Sequence, residues 1–253
     1  MIEVEASLIC NDVTVTHGDI VALDAVSVSV QPGERVALIG QSGAGKSTLL
    51  NAAAGLVTPT SGAISVLGSS VGALRGAALR KHRQLVGLIS QDLGLAPALR
   101  VVHSVNGGQL GSWSTGKALG SLIRANSRAE VEQVLDLVGL ADRIEARTGD
   151  LSGGEQQRVA VARTLLQNPR IILADEPTSS VDPDLADRVM GLLCGETTPS
   201  SNNSPTVILS VHDPELALRH VDRIIALQSG RIIFDQPVAE VSPTAVASLY
   251  ERG

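Results

Sequence analysis

Residues 40–47, with the sequence GQSGAGKS, constrain the fold of this chain more than any other segment. They match the pattern G-x-x-x-x-G-K-[ST] in full, an apolar run precedes them, and the residues that follow can open a helix. Glycines let backbone amides approach phosphate oxygens, and a helix N-terminus adds positive potential. The segment therefore predicts a phosphate-binding loop, with Lys46 on the β- and γ-phosphates and Ser47 on magnesium.

Short apolar runs place this loop in an α/β fold. Residues 35–39, 171–174 and 206–210 are largely continuous apolar stretches, which suit strands that are covered on both faces. Helical stretches lie between them, so a parallel sheet flanked by helices is expected. Residues 13–16 and 26–30 instead alternate between apolar and polar, which predicts antiparallel strands with one solvated face.

A hairpin is predicted near the C-terminal end of the sequence. The apolar residues 224–227 and 232–234 flank the sequence QSGR at 228–231. A serine–glycine pair between two strand-like segments is typical of a tight turn. Two antiparallel strands are therefore expected there.

The middle of the chain, residues 93–166, has mostly helical patterns. Ser127-x-x-Glu130 and Ser152-x-x-Glu155 are capping boxes, in which a hydroxyl and a carboxylate satisfy amides at a helix start. Apolar residues recur at helical spacing after each box, and Gly139 is expected to end the first helix. This block predicts a helical subdomain inserted into the α/β core.

Composition excludes several classes of protein. The 253 residues include 43% hydrophobic ones, so the chain can form its own core. The 20 basic and 26 acidic residues give a net charge of −6, whereas nucleic-acid-binding proteins usually carry an excess of basic residues. The two cysteines lack the spacing of metal ligands and are expected to be reduced thiols. No apolar run is long enough for a membrane-spanning helix, so we expect a soluble chain.

An acidic pair ends the apolar run at 171–174. Taken alone, Asp175 and Glu176 could form an ordinary solvated turn. An acidic pair at the end of a buried strand is costly unless cations compensate it, and a magnesium-bound nucleoside triphosphate supplies that compensation. With a phosphate loop earlier in the chain, Asp175 is predicted to hold magnesium and Glu176 to orient the attacking water.

Residues 151–158, LSGGEQQR, are the most specific motif. A Ser-Gly-Gly turn at a helix start can bind an anion for the same reason as the phosphate loop, because its backbone amides are free to donate at a helix N-terminus. One nucleotide does not need two such anion-binding turns from a single chain. A head-to-tail dimer, in which the turn of one subunit covers the γ-phosphate bound to the other, resolves this.

Together these motifs resemble the ATP-binding subunit of an ATP-binding cassette (ABC) transporter over roughly residues 2–250. The resemblance implies a P-loop NTPase (RecA-like) core with an N-terminal antiparallel β subdomain and an inserted α-helical subdomain. It implies one ABC ATPase domain over 1–253. Within that domain, 1–91 and 168–253 form the catalytic core with the antiparallel β subdomain, and 92–167 form the helical subdomain that carries the signature motif.

The resemblance also implies roles for residues whose own signals are weak. Gln91 matches the glutamine that senses magnesium and the attacking water, and Asp182 lies in the loop that contacts the partner subunit. His212 matches the switch histidine at the γ-phosphate. The family usually places an aromatic residue about 25 positions before the phosphate loop to stack on adenine. This chain has His17 there, which predicts weaker stacking.

The complete predicted site follows from these assignments. Predicted catalytic residues are Glu176, His212, Gln91 and Lys46, and predicted magnesium ligands are Ser47, Gln91 and Asp175. Predicted nucleotide contacts are Gly40, Gln41, Ser42, Gly43, Ala44, Gly45, Lys46, Ser47, Thr48, His17, Ser152, Gly153, Gly154 and Asp182.

Finer features resemble the ATPases of phosphonate-type importers, namely residues 105–111 with Trp113, residues 119–122, and the tail from 234 to Tyr250. This implies import of a small anionic solute, powered by ATP and Mg²⁺. The implied partners are a second cassette, integral membrane permease subunits and a solute-binding protein, with no nucleic acid, at the cytoplasmic face of the cell membrane. The alternatives are an exporter or lipoprotein-extraction ATPase, or a soluble relative acting on DNA or the ribosome.

Overall fold

The computed structural model describes residues 5–112, 128–195 and 204–242, together with 246 and 249. Ser127 of the first predicted capping box, Trp113, residues 119–122 and Tyr250 lie outside the described residues. Every residue that the sequence predicts in the site lies within them.

The described strands fall into two sheets. They are β1 (Leu8–His17), β2 (Ile20–Val30), β3 (Arg35–Ile39), β4 (Ser61–Val66), β5 (Ser69–Ser70), β6 (Val86–Ile89), β7 (Ile171–Asp175), β8 (Thr206–Ser210), β9 (Arg223–Gln228) and β10 (Arg231–Pro237). The six-stranded sheet has the order β10-β9-β3-β8-β7-β6, and the four-stranded sheet has the order β2-β1-β4-β5.

The described helices connect and cover these strands. They are α1 (Lys46–Ala53), α2 (Gly76–Leu85), α3 (Val101–Asn106), α4 (Arg128–Leu137), α5 (Gly153–Gln167), α6 (Pro183–Leu193) and α7 (Pro214–His220). Short 3₁₀ turns lie at Val71–Ala73, Gly107–Ser112, Ala141–Arg143, Thr148–Asp150 and Val238–Glu240. None of the helices in the described ranges has the length and apolar character needed to cross a membrane.

The large sheet is parallel except at the edge formed by β10. Strand β3 lies at its centre, with Val36 in register with Ile208 of β8 on one side and Arg223 of β9 on the other. The last four residues of β3 are fully buried, as the continuous apolar run predicts. Because the carboxyl ends of parallel strands lie at one edge of a sheet, the loops after β3, β6, β7 and β8 emerge together there.

The small sheet is antiparallel and packs against α1. Val13 of β1 pairs with Val26 of β2, which confirms the two alternating segments as partners. Both side chains belong to a buried cluster with Leu49 and Leu50 of α1 and Leu38 of β3. The antiparallel sheet therefore holds the helix that follows the phosphate loop against one face of the large sheet.

The other face of the large sheet shares its core with the helical region. Val105 of α3, Leu135 of α4, Val159 of α5 and Ala174 of β7 lie in one buried cluster. Helix α4 ends two residues before Gly139, whose φ of +68° is the left-handed conformation expected after a helix. The helix that begins at the Ser152 turn is thus anchored to the sheet that carries the phosphate loop.

The predicted hairpin is formed by β9 and β10. Ser229 and Gly230 have φ values of +48° and +77°, as a tight two-residue turn requires. The turn also contacts the phosphate loop, since the Gly230 amide donates to the Ala44 carbonyl at 3.0 Å. The Gly230 carbonyl accepts from the Asp24 amide of β2 at 2.9 Å, so this turn ties both sheets to the loop.

Both cysteines are buried free thiols. Cys10 lies in β1, and burial raises its pKa to about 12. Since the thiolate is the reactive form, Cys10 is chemically inert in the folded chain at neutral pH.

Replacing Leu135 by Ala tests whether α4 is anchored as described. Leu135 has no exposed surface, so Leu135→Ala is expected to lower the free energy of unfolding by about 2–5 kcal/mol. The exposed Gln133 on the same helix provides the control, and Gln133→Ala should change it by less than about 0.5 kcal/mol. Urea unfolding measures both, and equal effects would show that α4 is not packed in this way.

Candidate functional site

Glycines shape the phosphate loop through close backbone contacts. A Cβ on Gly40 would lie 2.2 Å from the Leu227 carbonyl oxygen, and one on Gly45 would lie 2.6 Å from the Ala22 carbonyl oxygen. Gly40, Gly43 and Gly45 have φ values of +143°, +80° and +106°, which L side chains rarely adopt. The loop therefore fits between β2 and β9 only with these glycines, and it leads into α1 at Lys46.

Lys46 is held inside this loop. Its Nζ donates hydrogen bonds to the carbonyl oxygens of Gly40 at 2.7 Å and Gln41 at 3.1 Å, and the residue is 5% exposed. Burial lowers the pKa of Lys46, while the nearby charges of Glu176 and Asp175 act in the opposite direction. The loop thus holds a desolvated amine within electrostatic reach of the acidic pair.

The acidic pair lies at the end of β7, next to the end of β8. Asp175 is 6% exposed and accepts a hydrogen bond at Oδ1 from the Ser210 hydroxyl at 2.6 Å. Glu176 follows with a φ of +51°, and its Oε1 lies 2.7 Å from Nε2 of His212. The structure therefore brings Lys46, Asp175, Glu176 and His212 to one edge of the sheet.

A cavity of about 260 Å³ opens beside this cluster. Glu176 and His212 line it, together with Ser179, Val211 and Arg219. The Glu176 carboxylate and the His212 imidazole are thus reachable from outside the protein.

The Ser-Gly-Gly turn begins α5 with the predicted capping box. The Glu155 amide donates to the Ser152 hydroxyl at 3.3 Å, and the Ser152 amide donates to the Glu155 carboxylate at 2.9 Å. The Ser152 backbone amide lowers the pKa of Glu155 most, followed by the Ser152 hydroxyl, which donates to the same carboxylate at 2.8 Å. A Cβ on Gly153 would have no other atom within 4 Å, whereas a Cβ on Gly154 would lie 2.4 Å from the Ser180 carbonyl oxygen.

Three further predicted site residues, like the Ser152–Gly154 turn, lie outside the cluster of Lys46, Asp175, Glu176 and His212. Gln91 is exposed after the end of β6, and His17 is exposed at the end of β1. Asp182 caps α6 by accepting at Oδ1 from the Leu185 amide at 3.1 Å. In the described part of the chain, no hydrogen bond or ion pair joins any of the three to Lys46 or Glu176.

Two residues that contact the backbone of Glu176 were not predicted. Ser210 ends β8, and Gln157 lies in α5. Both had a signal in the sequence, because Ser210 is the polar end of an apolar strand two residues before His212, and Gln157 belongs to the motif at 151–158. Their contacts with Glu176 depend on tertiary structure, which the sequence patterns do not supply.

Two exposed aliphatic residues near His17 were also not predicted in the site. Ile20 and Val21 are 70% and 49% exposed at the start of β2, and His17 pairs with Ile20 in the sheet register. The next residue, Ala22, touches the phosphate loop through its carbonyl group. This edge of the antiparallel sheet therefore presents apolar surface close to the loop.

Comparisons with known proteins agree with this geometry. The family model described as ABC transporter matches residues 23–179. The phosphonates import ATP-binding protein PhnC of Pseudomonas putida is 42% identical over 234 residues, covering 92% of this chain and 86% of that protein. These matches confirm the resemblance drawn from the motifs.

Solved structures confirm the fold class. An ATP-binding cassette in a dimeric post-hydrolysis state with ADP and phosphate has a TM-score of 0.78 and 30% identity, covering 91% of this chain and 98% of that one. A bacterial Atm1-family ABC exporter with ATP bound has a TM-score of 0.80 and 26% identity, covering 98% of this chain and 42% of that one. The same cassette fold thus occurs in free-standing subunits and in exporters.

The contact between Gly154 and the Ser180 carbonyl can be tested by adding a methyl group. Gly154→Ala is expected to lower the free energy of unfolding by about 1–3 kcal/mol, because the Cβ cannot fit without moving backbone. Gly153→Ala is the matched control and should leave stability unchanged or slightly increased, since that position is open. Thermal unfolding compares the two variants, and equal melting temperatures would contradict the contact.

Proposed function

The chain belongs to the ABC transporter family, and on that basis we propose that it is the ATP-hydrolysing subunit of an importer for phosphonates or related small anionic solutes. The observation that carries the proposal is the group formed by Lys46, Asp175, Glu176 and His212 at one sheet edge. The substrate class rests on the phosphonate-import ATPase of P. putida and its counterparts at similar identity.

The phosphate loop would bind the triphosphate of ATP. Amides of residues 41–48 at the start of α1 supply donors, and Lys46 supplies a cation that already lies between two carbonyl oxygens. Lys46 would exchange these carbonyls for the β- and γ-phosphate oxygens. Gly40 and Gly45 let the loop pack directly against the carbonyl groups of Leu227 and Ala22, which holds the loop in this conformation.

The residues present also fit Mg²⁺. Hard oxygen ligands are available from the half-buried Ser47 hydroxyl and from Asp175, with Gln91 as a further candidate from the sequence. No group of three or more His, Cys, Asp or Glu side chains suited to a metal is found in the described residues. Mg²⁺ commonly binds through one or two protein oxygens together with substrate phosphates. When bound, Mg²⁺ would neutralise charge on the β- and γ-phosphate oxygens.

Glu176 and His212 would carry the hydrolytic step. The Glu176 carboxylate would orient the attacking water and accept its hydrogen bond. The backbone conformation of Glu176 sets the direction in which its side chain leaves the chain, and His212 Nε2 contacts the carboxylate. His212 would bind Glu176 through Nε2 and reach the γ-phosphate when the nucleotide is present. Catalysis would then rest on positioning and on stabilisation of charge.

Two copies of the chain would share each nucleotide. Lys46 and Ser47 of one copy, with the Ser152–Gly154 turn of the other, would enclose one triphosphate, and Asp182 would contact the partner. The exposed Gly153 is suited to such a contact, because a neighbour could approach its backbone closely. The dimeric post-hydrolysis cassette at 30% identity supports this arrangement.

Permease subunits and a solute-binding protein would complete the complex at the cytoplasmic face of the membrane. This part rests on the names of the import relatives. Because an exporter cassette shares the fold, the direction of transport is tested by uptake of radiolabelled phosphonate in cells with and without the gene. Loss of export with unchanged uptake would favour the exporter alternative.

Replacing the catalytic groups should separate binding from hydrolysis. Glu176→Gln is expected to bind ATP, to lose about a hundredfold or more in turnover, and to accumulate as a dimer on light scattering. Lys46→Ala should lose both ATP binding and turnover, because the phosphates lose their buried cation. Lys81→Ala, at an exposed lysine of α2, is the control and should keep both. A Glu176→Gln chain that stays monomeric with saturating ATP would contradict shared nucleotide binding.

Replacing His17 tests the adenine contact. His17→Tyr is expected to lower the dissociation constant for ATP about 2- to 10-fold, since a larger aromatic face adds about 0.5–1.5 kcal/mol of stacking. Inorganic tripolyphosphate, which has no base, is the control ligand and should bind both chains equally. Isothermal titration calorimetry measures both ligands, and an unchanged ATP affinity would remove His17 from the site.

A further inference from the structure

The backbone of Glu176 is bound from its own loop, where the Ser179 amide donates to its carbonyl oxygen at 3.3 Å, and also from two other elements. Its φ of +51° lies in the left-handed region, which a residue with a long side chain seldom occupies. Such conformations persist only where surrounding structure over-determines them. The direction of the Glu176 carboxylate therefore depends on the groups that bind the two peptide units of this residue.

The amide side of Glu176 is bound by Ser210. The Glu176 N–H donates to the Ser210 hydroxyl oxygen at 2.9 Å, and the same hydroxyl donates to Oδ1 of Asp175 at 2.6 Å. Ser210 has no exposed surface, and it is in register with Asp175 in the sheet. One hydroxyl thus connects the carboxylate of Asp175 with the amide of Glu176.

The carbonyl side of Glu176 is bound by Gln157. Its Nε2 donates to the Glu176 carbonyl oxygen at 2.6 Å, and its Oε1 accepts from the Ser180 amide at 3.1 Å. Gln157 is 5% exposed and lies in the helix that begins at the Ser152 turn. One side-chain amide thus connects that helix to Glu176 and to the loop leading to Asp182.

We infer that Ser210 and Gln157 are positioning residues that together hold Glu176 in its left-handed conformation and so aim its carboxylate. The inference rests on the proposed role of Glu176 in hydrolysis. Ser210 comes from the strand that leads to His212, and Gln157 comes from the helix of the Ser-Gly-Gly turn. Glu176 is therefore bound from two elements that each carry another part of the site.

Hydrogen exchange of the Glu176 amide tests the Ser210 contact on the full chain without nucleotide. Ser210→Ala is expected to speed this exchange about tenfold or more, because the amide loses its acceptor. Thr206→Val is the matched control, since it removes another buried hydroxyl from the same strand and should leave exchange at Glu176 unchanged. Exchange within about twofold of the parent chain in Ser210→Ala would overturn the inference for Ser210.

The ATPase turnover of a Gln157→Glu variant tests the contact between Gln157 and the Glu176 carbonyl. Gln157→Glu removes the donor to the Glu176 carbonyl and is expected to lower kcat about tenfold or more while KM for ATP stays within about threefold. Gln167→Glu, in the same helix, also removes an amide that donates to backbone carbonyls and should keep kcat. The ratio of Gln157→Glu to parent kcat should rise as the pH is lowered, because the introduced carboxyl group can donate again once it is protonated. An unchanged kcat, or an equal loss in Gln167→Glu, would overturn the inference for Gln157.

The Ser210 variants extend the turnover test. Ser210→Ala is expected to lower kcat with little change in KM, and Ser210→Thr, which restores a hydroxyl, should recover most of it. If the parent chain binds no ATP and releases no phosphate, the proposed function fails, and hydrogen exchange at Glu176 in Ser210→Ala still decides whether Ser210 holds this residue.

Discussion

The buried ammonium of Lys46 is the interaction on which the rest of the site depends. A charge at 5% exposure is costly unless it is paired and hydrogen-bonded, and two carbonyl oxygens and two nearby carboxylates meet that need. Those carbonyls are in place because Gly40 can lie against the Leu227 carbonyl. The phosphate loop is therefore linked to the β9–β10 hairpin by backbone contacts and to the end of β7 by the charges of Asp175 and Glu176.

A second constraint is the conformation of Glu176. A left-handed residue with a side chain costs about 1–3 kcal/mol, which hydrogen bonds from neighbouring elements must offset. The site thus combines a desolvated cation with a glutamate in a strained backbone conformation, and both lie at the edge of the large sheet. This combination is typical of sites in which geometry is fixed before the substrate arrives.

The sequence predicts the elements of the fold well, because each has a strong local signal. The loop at 40–47, the alternating strands β1 and β2, the capping box of α5 and the Ser229–Gly230 turn are all found where expected. Close approaches between distant segments could not be predicted. They include the contacts of Gly154 with Ser180 and of Gly40 with Leu227, and the two residues that bind the Glu176 backbone. Each joins segments that are separated in the sequence, so it depends on how the chain packs. The family resemblance also implies roles for Gln91, Asp182 and His17. These roles remain predictions, because the structure of a single chain without nucleotide does not test them.

The contact between Gly154 and Ser180 bears on how this chain can be recombined with its relatives. The start of α5 and the loop before α6 meet backbone to backbone, with Gln157 bridging the same two segments. A chimaera that exchanges residues 151–158 alone would join two surfaces that were selected in different proteins. Grafts that carry residues 176–182 along with 151–158 keep the Gly154 contact and the Gln157 bridge within residues from one donor protein.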